Sequence, residues 1–104
     1  MNPTGVLTLT GLIDRDMAAL FGEQLAGLEP SDAPIHIELE DADVEDGIVV
    51  TMLVDYLRTT ARRVGRVELH HAPQLIAHTL YRVGALSEMP ITLIDPREEI
   101  GRSS

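Results

Sequence analysis

Apolar stretches with a period of two alternate along the chain with longer stretches whose apolar residues recur every three or four positions. Period two is typical of half-buried strands, and a spacing of three or four is typical of helices packed on one side. The predicted strands occupy residues 6–10, 35–39, 67–70 and 91–94, and the predicted helices occupy about 14–27, 48–64 and 73–84. Because strand–helix–strand units need crossover connections, the order β-α-β-α-β-α-β predicts an α/β fold with a mainly parallel or mixed four-stranded sheet and three or more helices.

The length of 104 residues suits a single domain spanning 1–104, with an ordered part at about 6–94 and a tail at 95–104. Residues 1–5 lack the basic and then apolar pattern of a signal peptide, and no stretch approaches the ~20 apolar residues that cross a bilayer. The chain has no cysteine, which excludes disulfides, thiol catalysis and thiolate metal ligands. These features predict a cytoplasmic protein without direct membrane insertion.

Acidic residues dominate the charge of the chain, which is −9 at pH 7, and every basic residue is an arginine. The acids are concentrated in residues 29–46, where no arginine occurs, and four arginines follow at 58, 62, 63 and 66. A protein of this charge is repelled by phosphate backbones, so we do not expect a nucleic-acid partner. The acidic segment is either a solvated surface or a negative patch that steers a basic partner.

Three segments of the sequence resemble those of the STAS domain family, which includes anti-sigma-factor antagonists. Gly11-Leu12-Ile13-Asp14 is similar to the turn that opens the first helix of these domains. Residues 44–63 are similar to the central strand, acidic turn and long helix ending in arginines, and residues 69–86 are similar to the closing segment with its proline and glycine. The resemblance implies a STAS-like fold and a non-catalytic regulatory module that binds another protein, as bacterial-type anti-sigma-factor antagonists do.

The chain departs from this family at the position that regulates partner binding. Matching the arginines at 62 and 63 places Asp46 on the family's aspartate, so Gly47 and Ile48 stand where members often carry serine or threonine. In anti-sigma-factor antagonists a hydroxyl in this turn is phosphorylated, which switches partner binding off. Isoleucine cannot accept phosphate, so the resemblance implies that this switch is missing. Thr51 is the nearest hydroxyl and a weak candidate, because a helical threonine commonly bonds its own backbone.

The resemblance leaves three kinds of partner open. The first is an anti-sigma factor or related kinase-fold protein. The second is the ATPase of a lipid-transporting ABC system, because the short segment before Gly11 resembles the accessory STAS subunits of such systems. The third is a small apolar ligand sensed by the domain, and self-association into a homo-oligomer is also compatible with the sequence.

The predicted contact surface is the turn at the start of the second helix together with the helix face that follows it. Ile48 is either an apolar anchor for the partner or a buried residue of the helix start. The acidic loop predicted at residues 40–47 would set orientation and association rate. At helical spacing the predicted partner-binding residues are Asp46, Gly47, Ile48, Thr51, Met52, Asp55 and Arg58.

No motif in the sequence predicts a catalytic centre, a cofactor or a metal. A calcium loop beginning at Asp41 fails because Asp46 and Met52 stand where glycine and a bidentate glutamate are required. His70 and His71 are adjacent in a predicted strand and therefore point to opposite faces, so we do not expect them to share zinc. The sequence also lacks a Gly-x-Ser-x-Gly elbow and a glycine-rich phosphate loop, so we expect no enzymatic activity.

Overall fold

The computed structural model describes residues 6–30 and 33–95 of the chain, and these contain six strands and four helices. The strands are β1 (Val6–Thr8), β2 (Gly11–Ile13), β3 (Ile35–Glu38), β4 (Ala42–Val44), β5 (Val67–His70) and β6 (Ile91–Ile94). The helices are α1 (Arg15–Ala26), α2 (Gly47–Val64), α3 (Gln74–Arg82) and α4 (Ala85–Glu88). The predicted tail lies outside the described residues beyond Asp95.

Four of the strands form one parallel sheet in the order β1-β3-β5-β6. These strands correspond to the four that the sequence predicts, which confirms an α/β fold built on a four-stranded parallel sheet. The register of β3 against β5 places His36 opposite Glu68 and Glu38 opposite His70. Since successive side chains of a strand point to opposite faces, all four of these side chains project from the same face of the sheet.

Two further strands pair in a small parallel sheet that the predicted element order omits. Leu12 on β2 lies opposite Asp43 on β4, and the Gly11 amide donates to the Asp41 carbonyl at 2.8 Å. β1 has already ended at Thr8, and Gly11, the first residue of β2, has a φ of +80°, a conformation that glycine adopts readily because it has no β-carbon. The predicted acidic loop at 40–47 is therefore partly a strand, and the turn containing Leu12 is one as well.

The core is a single cluster of apolar side chains from the helices and from one face of the four-stranded sheet. We call this the inward face, and its buried residues are Ile35, Ile37, Leu39, Val67, Leu69 and Ile91. Helix α2 contributes the largest share of the helix layer and packs against both α1 and α3. The opposite face of the sheet, here the outward face, carries the partly exposed polar side chains of β3 and β5.

The helix ends follow the signals in the sequence with one difference. Gly65 adopts a φ of +114° directly after α2, as expected for a glycine that ends a helix. The third predicted helix ends just before Gly84, as expected, and the one difference is the short α4 that follows this glycine, whose φ is +77°. Within residues 6–30 and 33–95, no helix combines the length and the hydropathy that crossing a membrane requires.

Candidate functional site

The amino-terminal end of α2 is held in place by Asp46. Its carboxylate Oδ1 accepts a hydrogen bond from the Val49 amide at 3.0 Å, which caps the helix. This hydrogen bond lowers the pKa of Asp46, and the Arg15 guanidinium, 3.3 Å from Oδ2, acts in the same direction. The aspartate therefore stays ionised and fixes the turn that carries Gly47 and Ile48.

Ile48 is exposed at this turn, with 55% of its surface accessible to solvent. Of the two interpretations of Ile48, burial at the helix start is therefore wrong, because Val49 and Val50 occupy the core positions of the first turn. Met52, one helical turn after Ile48, is half-buried and packs against the core. A β-carbon added at Gly47 would meet nothing within 4 Å, so the surface at Gly47 is open as well.

A shallow groove of about 530 Å³ lies beside this turn. Its lining comprises six of the seven residues predicted to bind a partner, namely Asp46, Gly47, Ile48, Thr51, Met52 and Asp55. The seventh, Arg58, lies further along α2 and is not part of the lining. Because the six residues share one helix end, a prediction from helical spacing was sufficient to bring them together.

Thr51 faces this groove but its hydroxyl is already used. Oγ1 donates to the Gly47 carbonyl at 3.0 Å, within the first turns of α2. This is the bond with its own backbone that the residue's helical position predicts. The hydroxyl remains exposed to solvent, and its bond satisfies a carbonyl of the helix itself.

A second depression of about 330 Å³ adjoins the groove at Asp46 and is strongly acidic. Its lining is Asp14, Arg15, Asp16, Glu45 and Asp46, so four carboxylates surround one guanidinium. Asp14 caps α1 by accepting from the Met17 amide at 2.9 Å. No contribution from α1 was predicted for this surface, although the position of Asp14 in the turn that opens the first predicted helix was a signal for it. The groove is thus bordered by negative charge from two helix starts.

The arginines that follow the acidic segment are not all available to this surface. Arg63 donates to the Leu25 carbonyl at 2.6 Å and to the Leu28 carbonyl at 2.7 Å. These bonds tie the last turn of α2 to the end of α1, where helix carbonyls lack partners of their own. Arg63 is therefore a structural residue at the opposite end of α2 from the groove.

A separate group of titratable side chains lies on and beside the outward face of the four-stranded sheet. His71 Nδ1 is 2.8 Å from Glu38 Oε2. This contact raises the pKa of His71. Partial burial opposes ionisation of Glu38, but the bond to His71 and a bond from the Glu40 amide outweigh it and lower the pKa of Glu38. His70 does not share this cluster and lies instead beside His36 and Glu68.

Comparison of the chain with protein-family models and with curated proteins gives no match. The functional assignment therefore depends on the groove at the start of α2 and on the resemblance of the sequence segments described above. The two overlap in the segment 44–63, since the groove is formed by the turn at which the chain departs from the STAS pattern.

Proposed function

We propose that this protein is a non-catalytic, cytoplasmic interaction module that binds another protein through the groove at the start of α2. The observation that carries the proposal is the exposure of Ile48 beside the half-buried Met52, within a groove bordered by carboxylates. We further propose that the partner is an anti-sigma factor of the kinase fold, and that binding lacks phosphorylation control.

An apolar anchor surrounded by polar groups is the usual composition of a small protein–protein contact. Residues that dominate binding energy lie at the centre of such a contact, and polar residues around them exclude water. Ile48 and Met52 are at i and i+4 on α2, so their side chains are neighbours on one helix face. Asp46 and Asp55 line the same groove and add negative charge to it.

The charge around the groove selects for a basic partner surface. The adjoining depression places Asp14, Asp16, Glu45 and Asp46 next to each other, and only Arg15 offsets them. Complementary charge at the rim of an interface increases the association rate and suppresses wrong partners. An arginine- or lysine-rich surface with an apolar recess for Ile48 is therefore the chemistry we expect of the partner.

The absence of a phosphorylatable hydroxyl at position 48 supports constitutive binding. Thr51 carries the nearest hydroxyl on the helix and donates to Gly47. A phosphate on Thr51 would add about −1.5 to −2 charges beside Asp46 and Asp55, where repulsion opposes it. The resemblance to anti-sigma-factor antagonists then implies a protein that sequesters its partner without being released by a kinase.

The test uses three immobilised forms of the chain to capture partners from an extract of the source cells: wild type, Ile48→Asp and Leu20→Asp. Leu20 on α1 is the matched control, because it is 59% exposed and does not line the groove. Aspartate near a helix amino terminus suits the helix dipole, so Ile48→Asp should fold normally, which far-ultraviolet circular dichroism checks. We expect Ile48→Asp to weaken binding of the purified partner by more than about fivefold.

Each outcome of this experiment decides a different part of the proposal. A kinase-fold protein retained by wild type and Leu20→Asp but not by Ile48→Asp supports both the surface and the partner. An ABC ATPase with the same dependence supports the surface and replaces the partner. Equal retention by all three forms shows that the groove is not the interface. Phosphate found on Thr51 after incubation with ATP and the kinase-fold partner contradicts binding without a switch.

A further inference from the structure

The outward face of the four-stranded sheet brings together two histidines and a glutamate from two neighbouring strands. His36 on β3 lies opposite Glu68 on β5, and His70 follows two residues later on the same face of β5. All three side chains are partly buried, with 37%, 24% and 26% of the side-chain surface exposed for His36, Glu68 and His70. The strands therefore fix the three side chains side by side and leave one side open to solvent.

The potential ligand atoms of these residues converge on one point. His36 Nδ1 is 3.1 Å from Glu68 Oε1 and 3.1 Å from His70 Nε2. His70 Nε2 is 3.8 Å from the same Glu68 oxygen. A tetrahedral ion with bonds of about 2.0–2.1 Å holds its ligand atoms roughly 3.3 Å apart. The three observed separations bracket that value, so one small cation can contact all three atoms.

Hydrogen bonding alone does not satisfy this triangle. Nδ1 of His36 carries at most one hydrogen, and its two neighbours are 3.8 Å apart, so that hydrogen cannot point at both. If His70 Nε2 donates to His36 Nδ1 instead, then Nδ1 is the acceptor and carries no hydrogen. It therefore cannot donate to the Glu68 carboxylate. In either arrangement one short contact lacks a well-aligned hydrogen, whereas a cation at the centre accepts lone pairs from all three atoms.

We propose that His36, Glu68 and His70 form a binding site for a divalent transition-metal ion of the zinc class. Two imidazoles and one carboxylate are ligands that suit Zn²⁺, and three protein ligands leave a fourth position for water or for an atom of another molecule. The site faces away from α2 across the sheet, so it is independent of the partner-binding groove. Parallel strands with fixed register hold the ligands without any loop movement.

The neighbouring cluster of Glu38, Glu40 and His71 is a poorer candidate for the same ion. Glu38 Oε2 already accepts a hydrogen bond from the Glu40 amide at 2.9 Å and contacts His71 Nδ1 at 2.8 Å. These contacts pair an acceptor with donors, so no lone pairs are left facing one another. The cluster does place additional carboxylates beside the proposed site, which raises the local concentration of cations.

The experiment measures the stoichiometry and affinity of Zn²⁺ binding by isothermal titration calorimetry. It uses the untagged, chelator-treated full chain as wild type and as single variants. The ligand variants are His36→Asn, His70→Asn and the near-isosteric Glu68→Gln, and His78→Asn on α3 is the control for an exposed histidine. Circular dichroism establishes that each variant is folded. We expect one Zn²⁺ per wild-type chain and a loss of affinity of at least about tenfold in each ligand variant.

A second readout identifies the ligands by spectroscopy. Co²⁺ in place of Zn²⁺ should give visible absorption bands for wild type and for His78→Asn, and these bands should weaken in His36→Asn and His70→Asn. Absence of Zn²⁺ binding in the wild type overturns the proposal. Binding that is unchanged in all three ligand variants, or lost in His78→Asn, also overturns it, because the ion would then lie elsewhere.

Discussion

The two faces of the four-stranded sheet share the same strands and the same hydrogen bonds, but their side chains differ in burial and in polarity. Inward residues such as Ile37 and Leu69 are almost completely buried beneath the helix layer. Outward residues such as His36, Glu68 and His70 keep about a quarter or more of their side-chain surface exposed. Buried apolar residues of the inward face and partly exposed polar residues of the outward face therefore alternate along β3 and β5.

This difference shows where the protein tolerates binding chemistry. Removing a buried side chain loses hydrophobic burial and leaves a cavity, so the inward face is constrained by stability. Polar contacts on a partly hydrated surface contribute little to stability, because water replaces them at small cost. The outward face and the exposed start of α2 are therefore the two surfaces on which ligands can be accommodated without disturbing the core.

The largest effect is expected from truncation on the inward face. Leu69→Ala should lower the free energy of unfolding by about 2–5 kcal/mol, because Leu69 is fully buried at the centre of the sheet. His70→Ala, the next residue and on the outward face, should lower it by less than about 1 kcal/mol. Urea denaturation in the presence of a chelator measures both. Equal losses for the two variants would show that the outward face also carries the fold.

An intermediate effect is expected in the helix layer that covers the inward face. Asp14→Ala should lower the free energy of unfolding by about 1 kcal/mol, because it removes the acceptor of the Met17 amide at the start of α1. Asp14→Asn is the control, since its amide oxygen can still cap the helix. Thermal and urea unfolding of the three forms measure this effect. A loss as large in Asp14→Asn as in Asp14→Ala would assign the effect to charge instead of capping.

The smallest effect is expected from the ion pair of His71 and Glu38, and it depends on pH. His71 has a raised pKa, so its contribution is fully present below its ordinary value of 6.5 and is lost as pH rises through the folded-state value. Glu38 has a lowered pKa, so its contribution is present above 4.5 and is lost as pH falls through the folded-state value. The pair should therefore stabilise the protein most between pH 4.5 and pH 6.5, the ordinary pKa values of the two groups.

Comparison of wild type with His71→Asn by urea denaturation, with chelator present, measures this contribution. The difference in unfolding free energy should be larger at pH 5.5 than at pH 8. A difference between wild type and His71→Asn that does not change with pH would show that His71 acts through packing and not through its charge.

Much of the architecture was predictable because it depends on neighbouring residues. Alternation over four or five residues identified β1, β3, β5 and β6, and the glycine at 65 marked the end of α2. Most of the groove was predictable for the same reason, since its lining residues lie within three turns of one helix. Strands β2 and β4 escaped prediction because they lie in segments that the sequence predicts as a turn and as an acidic loop.

The sequence by itself determined the α/β class and the helix end at which the groove lies, because local periodicity and helix starts involve residues close along the chain. Only the tertiary structure decided that Ile48 is exposed and that His36 stands beside Glu68 and His70. The physical reason is strand register. Pairing of segments more than 30 residues apart is set by packing of the whole core, and no local pattern in either strand specifies which side chains become neighbours.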